Sequence, residues 1–405
     1  MSAPRPRPVI VIVACALALG AMSAACDDAA SPDPHDTTDA GATDADTTGA
    51  TDADTTDATT DTTSPLLAAP FDEPGPFSVG FRTLAHTYTP PNSTTPRTIT
   101  LHLWYPTDAT SGSPVLYEGL FPDPAALGDA PPAAPLASPG FPVHVHSHGH
   151  LGFGATSAFL MRHFASHGWV ALAPSHTGNT LADNIDPRPA AIYHLRSSDI
   201  TAALDAAESL PTSDPLAGLI DTSRVLLSGH SFGAHTTWIT AGATFDPDLI
   251  EAACAESGDL FPCTPADRAT FATFPPGLRD PRVVAIIPMA GTLRRELVGP
   301  SGHLPVTLPI LAMSGSEDPV GADAQYTSTA GLELTWIDLA GACHQSFALG
   351  GCSTLADADA FTIVSAWAMA FARRHVLNDS TTRTLDLLSG TVPLSDKVTF
   401  MGPLR

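Results

Sequence analysis

The amino-acid sequence predicts an α/β fold in which a mostly parallel central sheet is covered by helices on both faces. Two observations predict it. Between residues 142 and 374, short apolar runs typical of buried strands alternate with longer stretches of helical spacing. Within this alternation, a Gly-His-Ser-Phe-Gly pentapeptide at residues 229–233 joins a strand-like run to a helix-like run. Right-handed crossovers place the carboxyl ends of such strands, and the loops that follow them, along one edge of the sheet.

The first 26 residues have the features of an export signal. Arg5 and Arg7 precede an apolar run from Val9 to Ala21, which is short for a membrane span. Small residues then lead into Cys26, as in a bacterial lipoprotein signal whose cysteine becomes the lipidated N-terminus. We therefore predict an exported protein that is lipidated at Cys26, and simple secretion is the alternative.

Residues 27–65 form a low-complexity tract of Asp, Thr and Ala that predicts a disordered tether. The tract lacks Lys, Arg and aromatic residues, so little apolar surface is available to offset the entropy of ordering. The whole chain has 18 basic and 42 acidic residues, and its formal net charge of −24 argues against nucleic acid or anionic lipid as a partner. We expect membrane contact only through the lipid anchor, and a monomeric folded domain over residues 66–405.

The elements of that domain follow from hydrophobic spacing and turn residues. Two alternating strands, 77–87 and 97–105, flank a Pro-Pro-Asn turn, and Pro106 is predicted to end the second. A Pro/Ala-rich loop then leads to the parallel part of the sheet. The predicted parallel strands are 142–147, 169–174, 224–228, 282–288, 308–314 and 332–339, and the predicted helices are 155–167, 193–210, 234–239 and 354–374.

An insert over residues 243–280 is predicted to follow the helix after the pentapeptide and to overhang the sheet edge. Its phenylalanines either line a pocket or pack the insert against the domain, and the sequence leaves both possibilities open. They are Phe245, Phe261, Phe271 and Phe274.

A serine between two glycines on a strand-to-helix turn is typical of a nucleophile elbow, which predicts Ser231 as a nucleophile. A serine hydroxyl needs a general base that is oriented by an acid. Asp318, three residues beyond Gly315, is favoured over Glu317 as that acid, and His344 is the predicted base. The order Ser, Asp, His along the chain is the one that this kind of sheet edge produces.

An oxyanion on the attacked carbonyl would need two preorganised N–H donors. The elbow predicts the backbone N–H of Phe232 as one donor. The loop after strand 142–147 predicts the N–H of His150 as the other, with Leu151 as the fallback.

Several stretches resemble the serine hydrolases that are similar to bacterial platelet-activating-factor acetylhydrolases and dienelactone hydrolases. The resemblance implies an α/β-hydrolase fold and a carboxylic-ester hydrolase that needs no metal or cofactor. His150 stands where a hydrophobic residue is more usual, and Ala234 replaces a common Gly, which leaves the shape of the acyl pocket open. The matching stretches are 79–84, 103–106, 147–149, 165–170, 176–179 and 229–233, which with Asp318 and His344 cover about 77–374.

Alternating histidines suggest a competing site. His144, His146, His148 and His150 would share one strand face, and His176 and His235 could join them around a metal ion. A convergent ligand from another element cannot be placed, so we predict no metal site.

Four cysteines follow the signal segment and allow three disulfide connectivities. The short spans favour Cys254–Cys263 and Cys343–Cys352, and the second bridge would hold the loop of His344. The sequence therefore predicts an exported serine esterase for small or lipid esters, with short acyl chains favoured. A lipase or polyester hydrolase with the same triad, another acyl hydrolase, and an inactive binding protein of the same fold are the alternatives.

Overall fold

The structure is a computed structural model that describes residues 64–256, 263–271, 274–275, 277–329 and 331–402. The predicted export signal, Cys26, Phe261 and nearly all of the predicted tether lie outside the described residues. Within them, one sheet of eleven strands forms the centre of the domain. The strands are β1 (Ser78–Tyr88), β2 (Arg97–Thr107), β3 (Ser113–Tyr117), β4 (Phe121–Gly128), β5 (Phe141–Ser147), β6 (Val170–Ser175), β7 (Ile220–His230), β8 (Val283–Met289), β9 (Ile310–Gly315), β10 (Leu334–Leu339) and β11 (Val398–Phe400).

The helices connect the parallel strands and cover both faces of the sheet, as the alternation predicts. The longest are the 17-residue α3 and the 20-residue α8. The helices are α1 (Pro65–Ala68), α2 (Ala158–Ser166), α3 (Ile192–Glu208), α4 (Phe232–Thr240), α5 (Pro247–Glu256), α6 (Pro265–Phe271), α7 (Arg295–Val298), α8 (Asp357–Val376) and α9 (Thr382–Leu388).

The strand order across the sheet is β11-β10-β9-β8-β7-β5-β6-β2-β1-β4-β3. The six strands from β10 to β6 pair in parallel, while β2 and β11 close this block through antiparallel pairs. The parallel strands therefore end at one edge, where the predicted site residues follow them.

Two hydrophobic cores lie on the two faces of the sheet. Along β7, Val225 and Leu227 face one core, whereas Leu226 between them faces the other. The first core is packed by α3, α4 and the insert, and the second by α2 and α8. Because successive strand side chains point to opposite faces, a strand covered on both sides must be apolar throughout, and the sequence pattern shows this.

The structure corrects the end of β2. The sequence predicts that Pro106 ends this strand, but β2 continues to Thr107 and pairs Pro106 with Val79 of β1. The pairing of β2 with β6 ends at Trp104, so beyond that point β2 is flanked on one side only. Proline lacks a backbone N–H, and this is tolerated at Pro106 because no described strand lies on the second side of β2 there to accept a hydrogen bond from it.

Two further parts of the sheet were not predicted. Strands β3 and β4 form a hairpin within the Pro/Ala-rich loop, and β4 touches β1 at only two paired positions. After α8, the chain forms α9 and the three-residue β11, which pairs with β10. These strands are short or contain proline, so their periodicity is weak, and pairing with a preformed sheet defines them.

The insert packs against the first core. Phe245, Phe271 and Phe274 are all buried, and the rings of Phe245 and Phe274 are 4.9 Å apart. The predicted Cys254–Cys263 disulfide is present in the insert, with the two Cα atoms 5.4 Å apart. Packing of the insert, rather than a pocket lining, is therefore the role of these three phenylalanines. No helix in the described part of the chain is both long and apolar enough to cross a membrane.

Candidate active site

The predicted elbow is present, and Ser231 stands alone between β7 and α4. Its φ of 55° lies in the left-handed region, which is uncommon for a residue other than glycine. A Cβ on Gly233 would lie 1.9 Å from the carbonyl oxygen of Ser147, and a Cβ on Gly229 would lie 2.2 Å from the carbonyl oxygen of Gly233. The two glycines therefore allow the tight turn that strains the serine.

Two glycines outside the pentapeptide also permit close approach to the elbow. A Cβ on Gly291, after β8, would lie 2.1 Å from the carbonyl oxygen of Ser231. A Cβ on Gly149 would lie 3.2 Å from the Cβ of Ser231. Gly291 was missed because nothing in its local sequence indicates which backbone lies beside it.

The structure brings the predicted acid and base together. Asp318 follows β9 and His344 follows β10, and His344 Nδ1 lies 3.1 Å and 3.0 Å from the two carboxylate oxygens of Asp318. The Asp318 side chain is 1% exposed and that of His344 is 25% exposed. Glu317, the rival acid, is exposed and makes no such contact. A buried carboxylate at Nδ1 orients the imidazole so that Nε2 is the free nitrogen.

His344 contacts His230, the residue that precedes Ser231. The Nε2 of His230 lies 2.9 Å from the carbonyl oxygen of His344, and the two imidazole rings are 4.7 Å apart. Within the described residues, Ser231 and His344 make no direct side-chain hydrogen bond. Such bonds are often long in enzymes without substrate and shorten when substrate binds.

The two predicted oxyanion donors belong to the segments on either side of the elbow: Phe232 directly follows Ser231, and His150 directly follows Gly149, whose Cβ position would lie 3.2 Å from the Cβ of Ser231. Phe232 is the first residue of α4, where a backbone N–H has no partner inside the helix. His150 lies in a turn closed by the hydrogen bond from Gly152 N to the Gly149 carbonyl oxygen, 3.1 Å long, with Leu151 at a φ of 60°. Within the described residues, neither N–H donates a hydrogen bond to another residue.

The side chains of both donor residues are held by polar groups. Two guanidinium groups contact the ring of Phe232, with the Cζ atoms of Arg188 and Arg196 5.0 Å and 4.7 Å from its centroid. The amide nitrogen of Asn179 lies 2.7 Å from Nδ1 of His150. Burial, followed by the charges of Arg188 and Arg196, lowers the pKa of His150 to about 4.

Two of the alternating histidines of β5 share one serine partner. His144 Nε2 and His146 Nδ1 lie 2.7 Å and 2.8 Å from the hydroxyl oxygen of Ser228 on β7. No group of three or more potential ligands able to hold a metal ion is found among the described residues.

His148 and His176 belong to a different chain of contacts. The amide N–H of His176 donates to Nε2 of His148, 3.0 Å away, and His176 Nδ1 contacts the carboxylate of Asp199 at 2.8 Å. Asp199 also accepts hydrogen bonds from Arg97 and Tyr88. These contacts account for the two histidines as buried hydrogen-bonding groups. Burial, followed by the charge of Arg196, lowers the pKa of each well below its usual value.

The structure contradicts the predicted Cys343–Cys352 disulfide. Both residues are free thiols. Cys352 Sγ is 3.4 Å from the carbonyl oxygen of Gly341 and 3.2 Å from the hydroxyl of Thr354, while Ser346 donates to the sulfur of Cys343. These local contacts satisfy the two thiols, and a short span in sequence does not by itself align two sulfur atoms for bonding.

Comparison with known proteins supports the fold. No protein-family model and no curated protein matches the chain, whereas 886 chains of solved structures do. One is a ferulic acid esterase from Streptomyces cinnamoneus, at a TM-score of 0.53 and 20% sequence identity, over 82% of this chain and 98% of that chain. The predicted α/β-hydrolase fold is thereby confirmed.

Proposed function

We propose that this protein is a serine hydrolase that cleaves carboxylic esters through an acyl-enzyme intermediate. The observation that carries the proposal is that a strained serine on an elbow and an imidazole paired with a buried carboxylate follow strands of the same parallel sheet, with His230 beside the serine in contact with His344. The backbone N–H groups of Phe232 and His150 support it, since neither donates a hydrogen bond within the described residues. The ferulic acid esterase of the same fold is, by its name, an ester hydrolase.

The proposed reaction uses three side chains. The hydroxyl oxygen of Ser231 attacks the ester carbonyl carbon while His344 Nε2 accepts its proton, and Asp318 stabilises the imidazolium through Nδ1–H. The carbonyl oxygen becomes an anion that accepts hydrogen bonds from the N–H groups of Phe232 and His150. The C–O bond then breaks, and the proton on His344 passes to the leaving alkoxide. Water, activated by His344, releases the acid in the second half of the reaction.

The substrates we propose are esters with short acyl chains. Phe232 and His150 flank the oxyanion site, and their side chains are fixed by Arg188, Arg196 and Asn179. The described phenylalanines of the insert are buried in the first core and do not line an open groove with exposed rings. Each acyl methylene that the site cannot bury forfeits about 0.8 kcal/mol.

Export is the proposed context of this activity. The export-type segment at residues 1–26 motivates it, and the Cys254–Cys263 disulfide is compatible with an oxidising compartment. We propose that Cys26 carries a lipid that tethers the domain to the cell envelope. In cells, wild type should fractionate with membranes and Cys26→Ser should not; equal fractionation of the two would refute lipidation.

Ester hydrolysis is tested with nitrophenyl esters of C2 to C16 acids. Ser231→Ala should lose activity by about 10⁶-fold while the thermal unfolding curve is kept. Ser223→Ala, an exposed serine on the same strand, is the matched control and should retain wild-type rates. A Ser231→Ala variant that keeps several per cent of the rate would refute the nucleophile.

The same panel separates the proposed substrate class from a lipase. We expect kcat/KM to be highest for acyl chains of about two to six carbons. A maximum at C12 or longer would instead indicate a lipase-like site, and an absence of hydrolysis at every length would indicate a binding protein or a different acyl bond.

A further inference from the structure

Arg196, in the second turn of α3, is a buried cation without a paired carboxylate. Its exposed fraction is 0%, and no Asp or Glu of the described residues lies within ion-pair distance of its guanidinium. Burial lowers its pKa to about 9, with Asp199 nearby acting in the opposite direction. Burying an unpaired charge is strongly unfavourable, so such a group is retained only where many hydrogen bonds stabilise it.

The hydrogen bonds of Arg196 reach the loop that carries one predicted oxyanion donor. Its Nη2 donates to the hydroxyl of Ser147, 3.2 Å away, and to the carbonyl oxygen of His148. These two residues lead directly into the turn that contains His150. Arg196 therefore fixes the two residues that precede the turn through these hydrogen bonds.

Arg196 also contacts the helix that carries the other donor. Its Nε donates to the hydroxyl of Thr236 on α4 at 3.2 Å, and its Cζ lies 4.7 Å from the centroid of the Phe232 ring. One guanidinium thus joins the two segments from which the oxyanion donors come. No other charged group of the described residues contacts both segments by hydrogen bonds.

A third contact extends from Arg196 to the side chain of His150. Nη1 of Arg196 donates to the amide oxygen of Asn179 at 2.6 Å, which turns the amide nitrogen of Asn179 toward Nδ1 of His150, 2.7 Å away. Because an amide nitrogen is only a donor, Nδ1 of His150 accepts and the proton of the neutral ring stands on Nε2. Arg196 therefore orients the imidazole of His150 through Asn179, in addition to holding the backbone that leads into His150.

We propose that Arg196 is a positioning residue of the oxyanion site, where it aligns the two N–H donors and supplies fixed positive charge behind them. This inference rests on the proposed ester hydrolysis. The negative charge on the substrate oxygen exists only in the tetrahedral state, so the contribution of Arg196 appears in kcat and not in KM. Loss of a single oxyanion donor lowers kcat about 10²- to 10³-fold, and misalignment of both donors should fall in the same range.

The experiment compares two buried arginines. Arg373 on α8 is also nearly fully buried and contacts Leu67, Ala69 and His167; among the described residues it makes no hydrogen bond to the candidate site. Arg196→Met, Arg196→Lys and Arg373→Met are prepared in the full chain. The measurements are kcat and KM on nitrophenyl butyrate, the melting temperature, and the affinity for butylboronic acid, which binds a catalytic serine as a tetrahedral anion.

Arg196→Met is expected to lower kcat by about 10²-fold with KM within about threefold, and to weaken boronic acid binding in parallel. Arg196→Lys should recover part of both, because it keeps the charge but cannot reproduce the planar set of donors. Arg373→Met should lose stability while keeping kcat and boronic acid affinity. A merely structural role for Arg196 would give the Arg373→Met pattern at both positions.

Wild-type kcat in Arg196→Met would overturn the proposal. If Arg196→Met does not fold, Arg196→Lys decides, and unchanged kcat and boronic acid affinity in that variant overturn it equally. Failure of the proposed function is recognised separately: wild type would then hydrolyse no ester, or Ser231→Ala would remain active.

Discussion

The half of the candidate site around Ser231 is enclosed by buried contacts, whereas the half around His344 lies on surface loops with local hydrogen bonds. Around the serine, four glycines admit close backbone approach, and a fully buried arginine joins the neighbouring segments. Around His344, the imidazole is 25% exposed, and two free thiols lie on the same loop region. This difference indicates that the proposed nucleophile and oxyanion donors are preorganised by the core, while the proposed base, His344, is positioned mainly by Asp318.

The largest expected effect is a loss of kcat without a loss of stability when the acid in the His344 half is replaced. Asp318→Asn should lower kcat about 10⁴-fold, because the amide favours the wrong imidazole tautomer. The melting temperature should change little, since Asp318 makes few contacts besides His344 and the N–H of Val320. Steady-state kinetics and thermal unfolding measure the two quantities. Glu317→Gln is the control and should leave both near wild type; a large kinetic loss there would move the acid to Glu317.

The next expected effect is a pH dependence that originates in the serine half. Burial lowers the pKa of both His144 and His230 to about 3. Each is neutral in the folded protein, whereas the unfolded chain takes up a proton below about pH 6.5. The stability from these groups is therefore complete above pH 6.5 and is lost as the pH falls toward 3, at up to about 1.4 kcal/mol per pH unit for each group.

Urea unfolding at pH 7, 6 and 5 measures this dependence. The free energy of unfolding should decrease as the pH is lowered, and His144→Gln should reduce the slope by about one proton. Equal slopes for the variant and wild type would show that His144 is not held neutral by burial.

A smaller effect is expected on the free energy of unfolding when one serine hydroxyl is removed from each half. Ser228→Ala removes the hydroxyl that contacts both His144 and His146 in the buried interior, and should lower the free energy of unfolding by about 2 kcal/mol. Ser316→Ala removes a hydroxyl that accepts from Gly341 N at the surface, and should cost less than about 0.5 kcal/mol. Urea denaturation of both variants measures the difference. Equal losses of unfolding free energy in the two variants would contradict the difference in burial between the two halves.

The smallest expected effect is at the free thiols. Burial raises the pKa of the Cys352 thiol, but hydrogen bonds from Cys343 and Thr354 lower it by more. The net effect is a pKa of about 6. Burial raises the pKa of Cys343. Cys352 should therefore react first with a thiol reagent in the native protein, and Cys352→Ser should change the free energy of unfolding by less than about 0.5 kcal/mol. A native protein without reactive thiols would restore the disulfide that the sequence predicts.

The sequence alone identified the α/β-hydrolase fold and placed Ser231, Asp318 and His344 in the order in which they follow strands. These inferences succeed because strand and helix periodicity, glycine requirements and the order of parallel strands are properties of the local chain. The sequence also predicted why the pentapeptide has two glycines: the turn is too tight for a side chain at either position, as the distances at Gly229 and Gly233 show.

Only the tertiary structure decided how the site is supported. An arginine within α3 and a glycine after β8 carry no local signal of their role, since their partners are distant in sequence: 48 residues separate Arg196 from His148. The free thiols at Cys343 and Cys352 were mispredicted for a different reason: the two residues are close in sequence, but disulfide formation depends on the geometry of the sulfur atoms and not on the span between them. Spacing along the chain determines which elements form, and packing determines which side chains from different elements meet.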